Sequence, residues 1–389
     1  MVKRKISIFG ATGSVGSQAL SVIDESADDV EMVALTANGS LEKLAALAEK
    51  YSPQCVVTAD ASKYNALKDA VAHLGVDVKA GEDGLLEAAT MAADWSVMSI
   101  MGATALPVTV KLIEQGASLA LANKESIICG GRWILDKFAQ HNCTLLPLDS
   151  EHNALFQLLH SERLSDLKKL MITASGGPFR TKSLEELHNV TPAEAANHPV
   201  WPMGQKISID SATLVNKGLE VIEAAYLFET TPENIDVLIH PQSLIHAMVT
   251  FGDGSSLAHF ACPDMRIPIA HAYTYPNRCD ISHKEFDVTD LNRMEFFPVD
   301  SDRFPAVDLA KQALRQGQVG TITYNAANEV AVQAFVDGVI PFTDIVTVLE
   351  KSLSQAVQKD ITSMNEIIEV DAHARELAKK HLPSLSTAA

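Results

Sequence analysis

Near the start of the chain a short apolar strand, Ile6-Ser7-Ile8-Phe9, runs straight into Gly10-Ala11-Thr12-Gly13-Ser14-Val15-Gly16, and a helical stretch follows from Ser17 to Ile23. This order constrains the fold more than any other feature of the sequence. Glycines spaced GxxGxxG between a strand and a helix let the backbone approach a pyrophosphate held at the helix N-terminus. Tight turns also use glycine; it is the strand and helix around it that point to a nucleotide. Thr12, Gly13, Ser14 and Val15 are the turn residues expected against the cofactor.

The second strand, Val30 to Leu35, ends in Thr36-Ala37-Asn38-Gly39-Ser40. Ala37, Asn38 and Ser40 are therefore expected beside the cofactor's ribose. An NAD site places Asp or Glu here to hold the 2′-hydroxyl. None occurs before Glu42, which favours NADP, yet the turn holds no Arg either and Lys43 is the nearest cation along the chain. Further strands are expected at 55–58, 96–100, 118–121 and 143–146, alternating with helices at 41–49 and 107–115. That alternation predicts a doubly wound parallel sheet, Rossmann-like, with ligands at the carboxyl ends of its strands. Asn123, Lys124 and Glu125 occupy one such end. Lys124 reads either as a surface lysine or as a cation that polarises a substrate carbonyl.

Asp149-Ser150-Glu151-His152 follows the apolar run Leu145-Leu146-Pro147-Leu148. In extended chain Asp149 and Glu151 share a face, and two adjacent carboxylates resist desolvation unless a cation or a proton lies between them. A third carboxylate, Glu220, stands four residues after Asn216 on one face of an expected helix. Three carboxylates with no thiolate suit Mg²⁺ or Mn²⁺ better than zinc. Ala174-Ser175-Gly176-Gly177 forms either a backbone nest for an anion or a plain turn. The stretch 192–202 reads as an exposed loop in which Trp201 is either a lid over substrate or an anchor onto a neighbouring domain. Met203, Gly204, Lys206, Ser208, Ser211, Asn216 and Lys217 then supply cations and hydroxyls suited to one phosphate. Strands at 237–241 and 244–249, with a hairpin at 251–254 into 256–260, predict an antiparallel sheet. His240, His246 and His259 compete there for any role.

The 389 residues allow two or three domains. A net charge of −18 argues against nucleic acid or an anionic membrane as partner. Cys55, Cys129, Cys143, Cys262 and Cys279 form no CxxC pair and read as reduced thiols. Lys3, Arg4 and Lys5 precede an apolar stretch too short for a signal peptide, and no run reaches membrane-spanning length, so a cytoplasmic location is expected. The segment 275–300 reads as a connector, and helices at 304–316, 326–337, 342–356 and 365–380 as a C-terminal bundle, with Asn325 and Asn328 as turn or capping residues.

Several blocks together resemble the 1-deoxy-D-xylulose 5-phosphate reductoisomerase family: GATGSVG at 10–16, ALANKES at 120–126, PLDSEHNALFQ at 147–157, TASGGPFR at 173–180, the long run at 198–224, HPQSLIHAMV at 240–249 and YNAANEVAV at 324–332. The resemblance implies NADPH as cofactor and Asp149, Glu151 and Glu220 as ligands of Mg²⁺, Mn²⁺ or Co²⁺. It implies that Ser175, Ser211, Asn216 and Lys217 hold the substrate phosphate with His198 close by. Ser150 and Lys124 would contact the substrate or the metal-bound oxygens; His152 and Trp201 would cover the substrate, with Met203 packed nearby. His246 and 263–265 lie in further family motifs. The implied reaction rearranges 1-deoxy-D-xylulose 5-phosphate and reduces it with NADPH to 2-C-methyl-D-erythritol 4-phosphate, in a homodimer. The implied domains are a Rossmann-like domain at 1–149, an α+β catalytic domain at 150–274 with a lid near 192–203, the connector, and a helical domain at 301–389. One departure stands out: many members carry Gly-Lys/Arg-Asn where this chain has Asn38-Gly39-Ser40, so the usual basic contact to the 2′-phosphate is missing, with Ser40 in place to supply one hydrogen bond. Two other classes compete. A semialdehyde or acyl-phosphate reductase begins with a similar turn but needs a reactive thiolate, and a non-catalytic NADP-binding sensor needs no carboxylate cluster.

Overall fold

The computed structural model describes residues 3–383 apart from residues 27, 199–200, 202–203, 284–286, 288 and 290–291. The chain divides into two compact units. One comprises Met1–Ser126, Ile134–Asn153 and Asp264–Lys284, the other Ile127–Trp133, Ala154–Pro263 and Glu285–Ala389.

In the first unit β1 (Arg4–Phe9), β2 (Val30–Ala37), β3 (Cys55–Thr58), β4 (Asp77–Ala80), β5 (Trp95–Met98), β6 (Ser118–Leu121) and β7 (Thr144–Pro147) form a seven-stranded sheet ordered β4-β3-β2-β1-β5-β6-β7. Every neighbouring pair is parallel. Strands covered on both faces read as continuous apolar runs, and every residue of β3 and β5 is buried. Strand order reverses between β1 and β5, the switch point at which such sheets bind ligands. The edge strand β4, Asp77-Val78-Lys79-Ala80, buries none of its residues and left no trace in the apolar pattern.

Two glycines of the first turn are required sterically. Gly10 has φ +92°, and a Cβ there would stand 2.7 Å from Ser99 Oγ. A Cβ on Gly16 would stand 2.3 Å from the Gly10 carbonyl oxygen and 2.7 Å from Ala11 Cα, so the helix starting at Ser14 packs directly on the turn.

The helix Arg266–Thr274, expected to end the catalytic domain, belongs to this first unit. Its Tyr273 is fully buried edge-on to Trp95, with ring centroids 5.1 Å apart. The Tyr273 hydroxyl donates to Asp28 at 2.8 Å, and Trp95 Nε1 donates to the Ala272 carbonyl at 3.1 Å. Contacts of this kind, between residues far apart in sequence, make the division discontinuous rather than the linear one expected.

In the second unit β8 (Leu167–Ala174), β9 (Ile235–Ile239), β10 (Ile245–Phe251), β11 (Ser256–Phe260) and β12 (Phe297–Pro298) are ordered β11-β10-β8-β9-β12. The sheet is mixed, not antiparallel as expected: β9 runs parallel to β8, whereas β10, β11 and β12 pair antiparallel to their neighbours. The cause is connectivity. The β10–β11 link is a tight hairpin closed by Gly254 N–H to the Phe251 carbonyl, while β8 and β9 are joined through several helices, a crossover that returns the chain in the same direction. The supposed connector contributes β12, paired with β9.

Four helices complete this unit: Ala306–Arg315, Gln318–Val336, Asp344–Ser354 and Met364–Lys380. Asn325 and Asn328 do not cap a helix. They lie inside Gln318–Val336, both fully buried, where Asn325 Nδ2 donates to Glu329 and Asn328 Nδ2 donates to Asp210 at 2.9 Å. No helix among the described residues is long and apolar enough to cross a membrane.

Gly16→Ala tests the packing of the first turn. Alanine is the better helix former by about 1 kcal/mol, but its Cβ would collide with backbone that cannot rotate away. A net loss of about 1–3 kcal/mol is expected, read as a lower urea midpoint. Gly204→Ala, where a Cβ meets nothing within 4 Å, is the control. A wild-type midpoint for Gly16→Ala would remove the close-packing argument.

Candidate active site

In the first unit the expected cofactor residues fall at the carboxyl ends of β1, β2 and β6. Gly13 is the N-cap of the Ser14–Glu25 helix and has no side chain to satisfy the helix's first N–H groups. Thr12, Gly13, Ser14 and Val15 are exposed or half-buried on that turn. Asn38, Gly39 and Ser40 are exposed after β2, while Ala37 is buried at the strand's end. Asn123 is committed to structure. Its Oδ1 caps the Lys124–Gln140 helix by accepting Ser126 N–H, and its Nδ2 donates to the carbonyls of Ile100 and Gly102 and to Glu125. It ties the end of β6 to the turn after β5. Gly204, also expected at the cofactor, is the N-cap of the Gln205–Ala212 helix in the second unit.

Asp149 and Glu151 are neighbours for a reason other than strand alternation. Strand β7 ends at Pro147 and a helix begins at Ser150, so Glu151 lies in the first helical turn. Asp149 precedes the helix and its Oδ1 accepts Glu151 N–H at 3.2 Å, the geometry of an N-cap. A helix N-terminus favours both negative charges. Lys124 donates to Asp149 Oδ2 at 2.6 Å, with both side chains nearly buried. His152, expected to cover substrate, is fully buried with Nδ1 3.0 Å from Asp149 Oδ1. Ser150 Oγ donates to Glu151. Lys124, Asp149, Ser150, Glu151 and His152 thus form one polar cluster at the end of β7.

In the second unit the helix Gln205–Ala212 turns at Leu214, whose φ is +59°, into Val215–Leu227. This corner assembles the expected phosphate residues. Asn216 Nδ2 and Lys217 Nζ both donate to the Glu220 carboxylate, and Lys217 and Glu220 are buried. The expected i,i+4 pair is present, with the lysine between its members added to it. Gly176 and Gly177 take φ of +86° and +67° after β8, and a Cβ on Gly177 would stand 2.9 Å from the Ser211 carbonyl oxygen. That close approach brings Ser175 toward the end of the helix that carries Ser211.

Ser175 Oγ lies 3.1 Å from His198 Nε2, and His198 Nδ1 accepts Trp201 N–H at 2.8 Å. The second bond fixes the tautomer: the ring proton is on Nε2 and points at Ser175. Burial lowers the His198 pKa, so the ring is neutral at pH 7. Trp201 is half-buried rather than exposed, its ring centroid 6.4 Å from that of His246, and His246 lies 6.0 Å from His259. His240 is stacked on Phe296 instead. Met203 and the rest of the expected lid at 199–200 and 202 lie outside the described residues.

None of the five thiols is in a disulfide, and burial pushes Cys55 and Cys143 up to about 12, far from the low values that make a thiolate nucleophile. Sequence reading missed two features. Asp210, buried beside Lys206 at 2.7 Å and Asn328, fixes the helix that bears Ser211. Lys63 donates to the Gly39 carbonyl at 3.3 Å, inside the turn that had looked devoid of cations. Because β2 and β3 are parallel neighbours, their carboxyl-end turns lie side by side, and that adjacency was the available signal.

Known proteins match this chain along nearly its whole length. Residues 6–131 match the family described as 1-deoxy-D-xylulose 5-phosphate reductoisomerase, 145–228 its C-terminal domain, and 260–377 the DXP reductoisomerase C-terminal domain. The 1-deoxy-D-xylulose 5-phosphate reductoisomerase of Zymomonas mobilis is 44% identical over 382 residues, covering 98% of each chain. That of Sinorhizobium medicae is 43% identical over 385 residues, again covering 98% of each. The solved Zymomonas mobilis enzyme in complex with NADPH superposes with a TM-score of 0.93 at 43% identity, over 99% of this chain and 100% of that one. A DOX-P reductoisomerase in complex with NADPH, fosmidomycin and magnesium gives 0.90 at 37% identity, over 97% and 98%. With that identity sustained from end to end, the chain belongs to the 1-deoxy-D-xylulose 5-phosphate reductoisomerase family.

Proposed function

We propose that this protein rearranges 1-deoxy-D-xylulose 5-phosphate and reduces it to 2-C-methyl-D-erythritol 4-phosphate, using NADPH and a divalent metal ion, in the non-mevalonate route to isoprenoid precursors. One observation carries the reading: a phosphate-suited corner built around Lys217 shares a single helical turn with a buried carboxylate, Glu220, in a chain that matches this family throughout. The complexes of its solved relatives with NADPH, fosmidomycin and magnesium support the same cofactors here.

The residues fit both groups. Gly10 and Gly16 leave no room for a Cβ around the first turn, and the uncapped helix after it offers N–H groups to a pyrophosphate. Asp149, Glu151 and Glu220 offer only carboxylate oxygens, the donor set of Mg²⁺ or Mn²⁺, with Co²⁺ also within the family's range. When bound, the cation supplies Lewis acidity toward substrate oxygens and NADPH supplies the hydride.

The chain's own groups do the rest. Ser175, Ser211, Asn216 and Lys217 hold the substrate phosphate, and neutral His198 donates from Nε2 without adding charge. The phosphate is remote from the reacting carbons, so gripping it supplies energy for orientation. Lys124 and His152 position Asp149, and Ser150 and Lys124 meet the substrate backbone. Trp201, whose N–H bonds His198, excludes water from an aldehyde that would otherwise be hydrated. The resemblance also supports a homodimer.

NADPH oxidation followed at 340 nm with 1-deoxy-D-xylulose 5-phosphate and Mg²⁺ is expected to stop after EDTA and to return with Mg²⁺ or Mn²⁺. Oxidation that survives EDTA would point to thiol chemistry, and none in the metal-loaded protein would leave only a dinucleotide binder. Glu220→Gln should lower turnover by on the order of a hundredfold or more, as expected when several kcal/mol of charge stabilisation is lost, with NADPH affinity intact; near-normal turnover would exclude Glu220 from the metal site. Lys217→Ala should raise KM for the phosphorylated substrate by about 10–100-fold, the weight of a charge-assisted hydrogen bond, and an unchanged KM would place the phosphate elsewhere.

A further inference from the structure

The turn after β2 poses a chemical problem. It contains no acid to hold a ribose 2′-hydroxyl and no base to hold a 2′-phosphate: Asn38, Gly39 and Ser40 are all uncharged. The next strand supplies what the turn lacks. Strands β2 and β3 end in register, with Ala37 opposite Thr58, and Thr58 Oγ1 donates to the Asn38 carbonyl at 2.7 Å, tying one turn to the other. After β3 the Asp60 carboxylate accepts both the N–H and the hydroxyl of Ser62, at 3.0 and 2.6 Å, and so starts the short helical turn Ala61–Lys63. Lys63 is thereby placed to reach back, and its ammonium donates to the Gly39 carbonyl at 3.3 Å. A Cβ at position 39 would come within 2.9 Å of that nitrogen, so the glycine is what lets the ammonium lie against the turn.

We propose that Lys63 binds the ribose 2′-phosphate of NADPH, with Ser40 beside it, and sets the preference for NADPH over NADH; this rests on the dinucleotide reading of the first unit. Charge-assisted hydrogen bonds are normally about 2.8 Å long, so the bond to the neutral Gly39 carbonyl is a weak one that a phosphate oxygen readily displaces. Asp60 is the competing anion, 3.6 Å from the ammonium. Its carboxylate is already engaged by the two donors of Ser62, which hold its pKa down, and exposed ion pairs of this length contribute little. Ser40 is the N-cap of the Leu41–Tyr51 helix, yet its hydroxyl makes no capping bond and is therefore uncommitted to that helix. Glu42 stands in the first turn of the same helix, so a 2′-phosphate there needs a cation to offset it. The family's usual base within the turn is thus replaced by one delivered from the neighbouring strand's end.

The test is equilibrium binding to the metal-free, substrate-free protein, read by NADPH and NADH fluorescence and by calorimetry with adenosine 2′,5′-bisphosphate. Lys63→Ala should weaken NADPH and the bisphosphate about tenfold, the weight of one partly exposed charge-assisted contact, and leave NADH unchanged. Lys63→Arg should restore most of the loss, Lys43→Ala should change neither, and KM for the phosphorylated substrate should stay at its wild-type value. Equal weakening of NADPH and NADH, no weakening of either, or a loss reproduced by Lys43→Ala would overturn the assignment. Wild-type protein that binds neither nucleotide would overturn the dinucleotide reading and this inference with it; wild-type binding with unaltered discrimination in Lys63→Ala would overturn the inference alone.

Discussion

The buried pair between Lys217 and Glu220 is the constraint around which the second unit is arranged. Taking an ammonium and a carboxylate out of water costs several kcal/mol per ion, and only close pairing offsets it. The pair sits at the start of Val215–Leu227 and must be held there by its surroundings. Gly218 is one such hold: a Cβ at that position would stand 2.1 Å from the Tyr324 hydroxyl, so the helix presses directly on Gln318–Val336. The left-handed Leu214 is another, since it closes the corner that aims the preceding helix, with Ser211, toward the loop carrying Ser175. Since Asn216 and Lys217 both bond Glu220, the proposed phosphate-binding cation and the proposed metal-binding carboxylate are coupled within one turn.

The first unit repeats the logic at smaller scale. Asp149 has Lys124 on one oxygen and His152 near the other, so its negative charge is balanced where a parallel sheet ends and a helix begins. Asp149 and Glu220 are thus each paired with a lysine of the same unit, which offsets the cost of burying the carboxylate.

Much of this was legible in the sequence because local signals and tertiary demands agreed. Strands β3 and β6 were bounded correctly from buried apolar runs, and the first glycine turn from its strand–turn–helix order. The carboxylate pair at 149 and 151 was found by an argument that does not hold, since Glu151 is helical; the pairing survived because the first turn of a capped helix also places such residues together. What failed to show was whatever depends on contacts distant in sequence. Edge strand β4 needs no apolar face, the parallel pairing of β8 and β9 follows from the crossover between them, and the return of Arg266–Thr274 to the first unit rests on Tyr273 meeting Trp95. Lys63 was invisible for the same reason, lying far along the chain from the turn it serves.

The C-terminal helices carry no residue assigned to substrate, metal or cofactor, yet they account for the precision of the proposed phosphate corner. A buried Asp210 would be costly without partners, and it has two: Lys206 on its own helix, one turn earlier, and Asn328 on Gln318–Val336. The first fixes the side chain relative to its own backbone and cannot orient the helix. Only the second does that, because it anchors the residue adjoining Ser211 to an element that the Met364–Lys380 helix in turn secures through Arg375 and Glu329. Tyr324, one turn before Asn328, meets Gly218 of Val215–Leu227 and donates to the Ala306 carbonyl. One helix therefore sets the rotation of Gln205–Ala212 by a hydrogen bond and the approach of Val215–Leu227 by a close contact, and the hydroxyl, amide and ammonium groups of the corner take their positions from both.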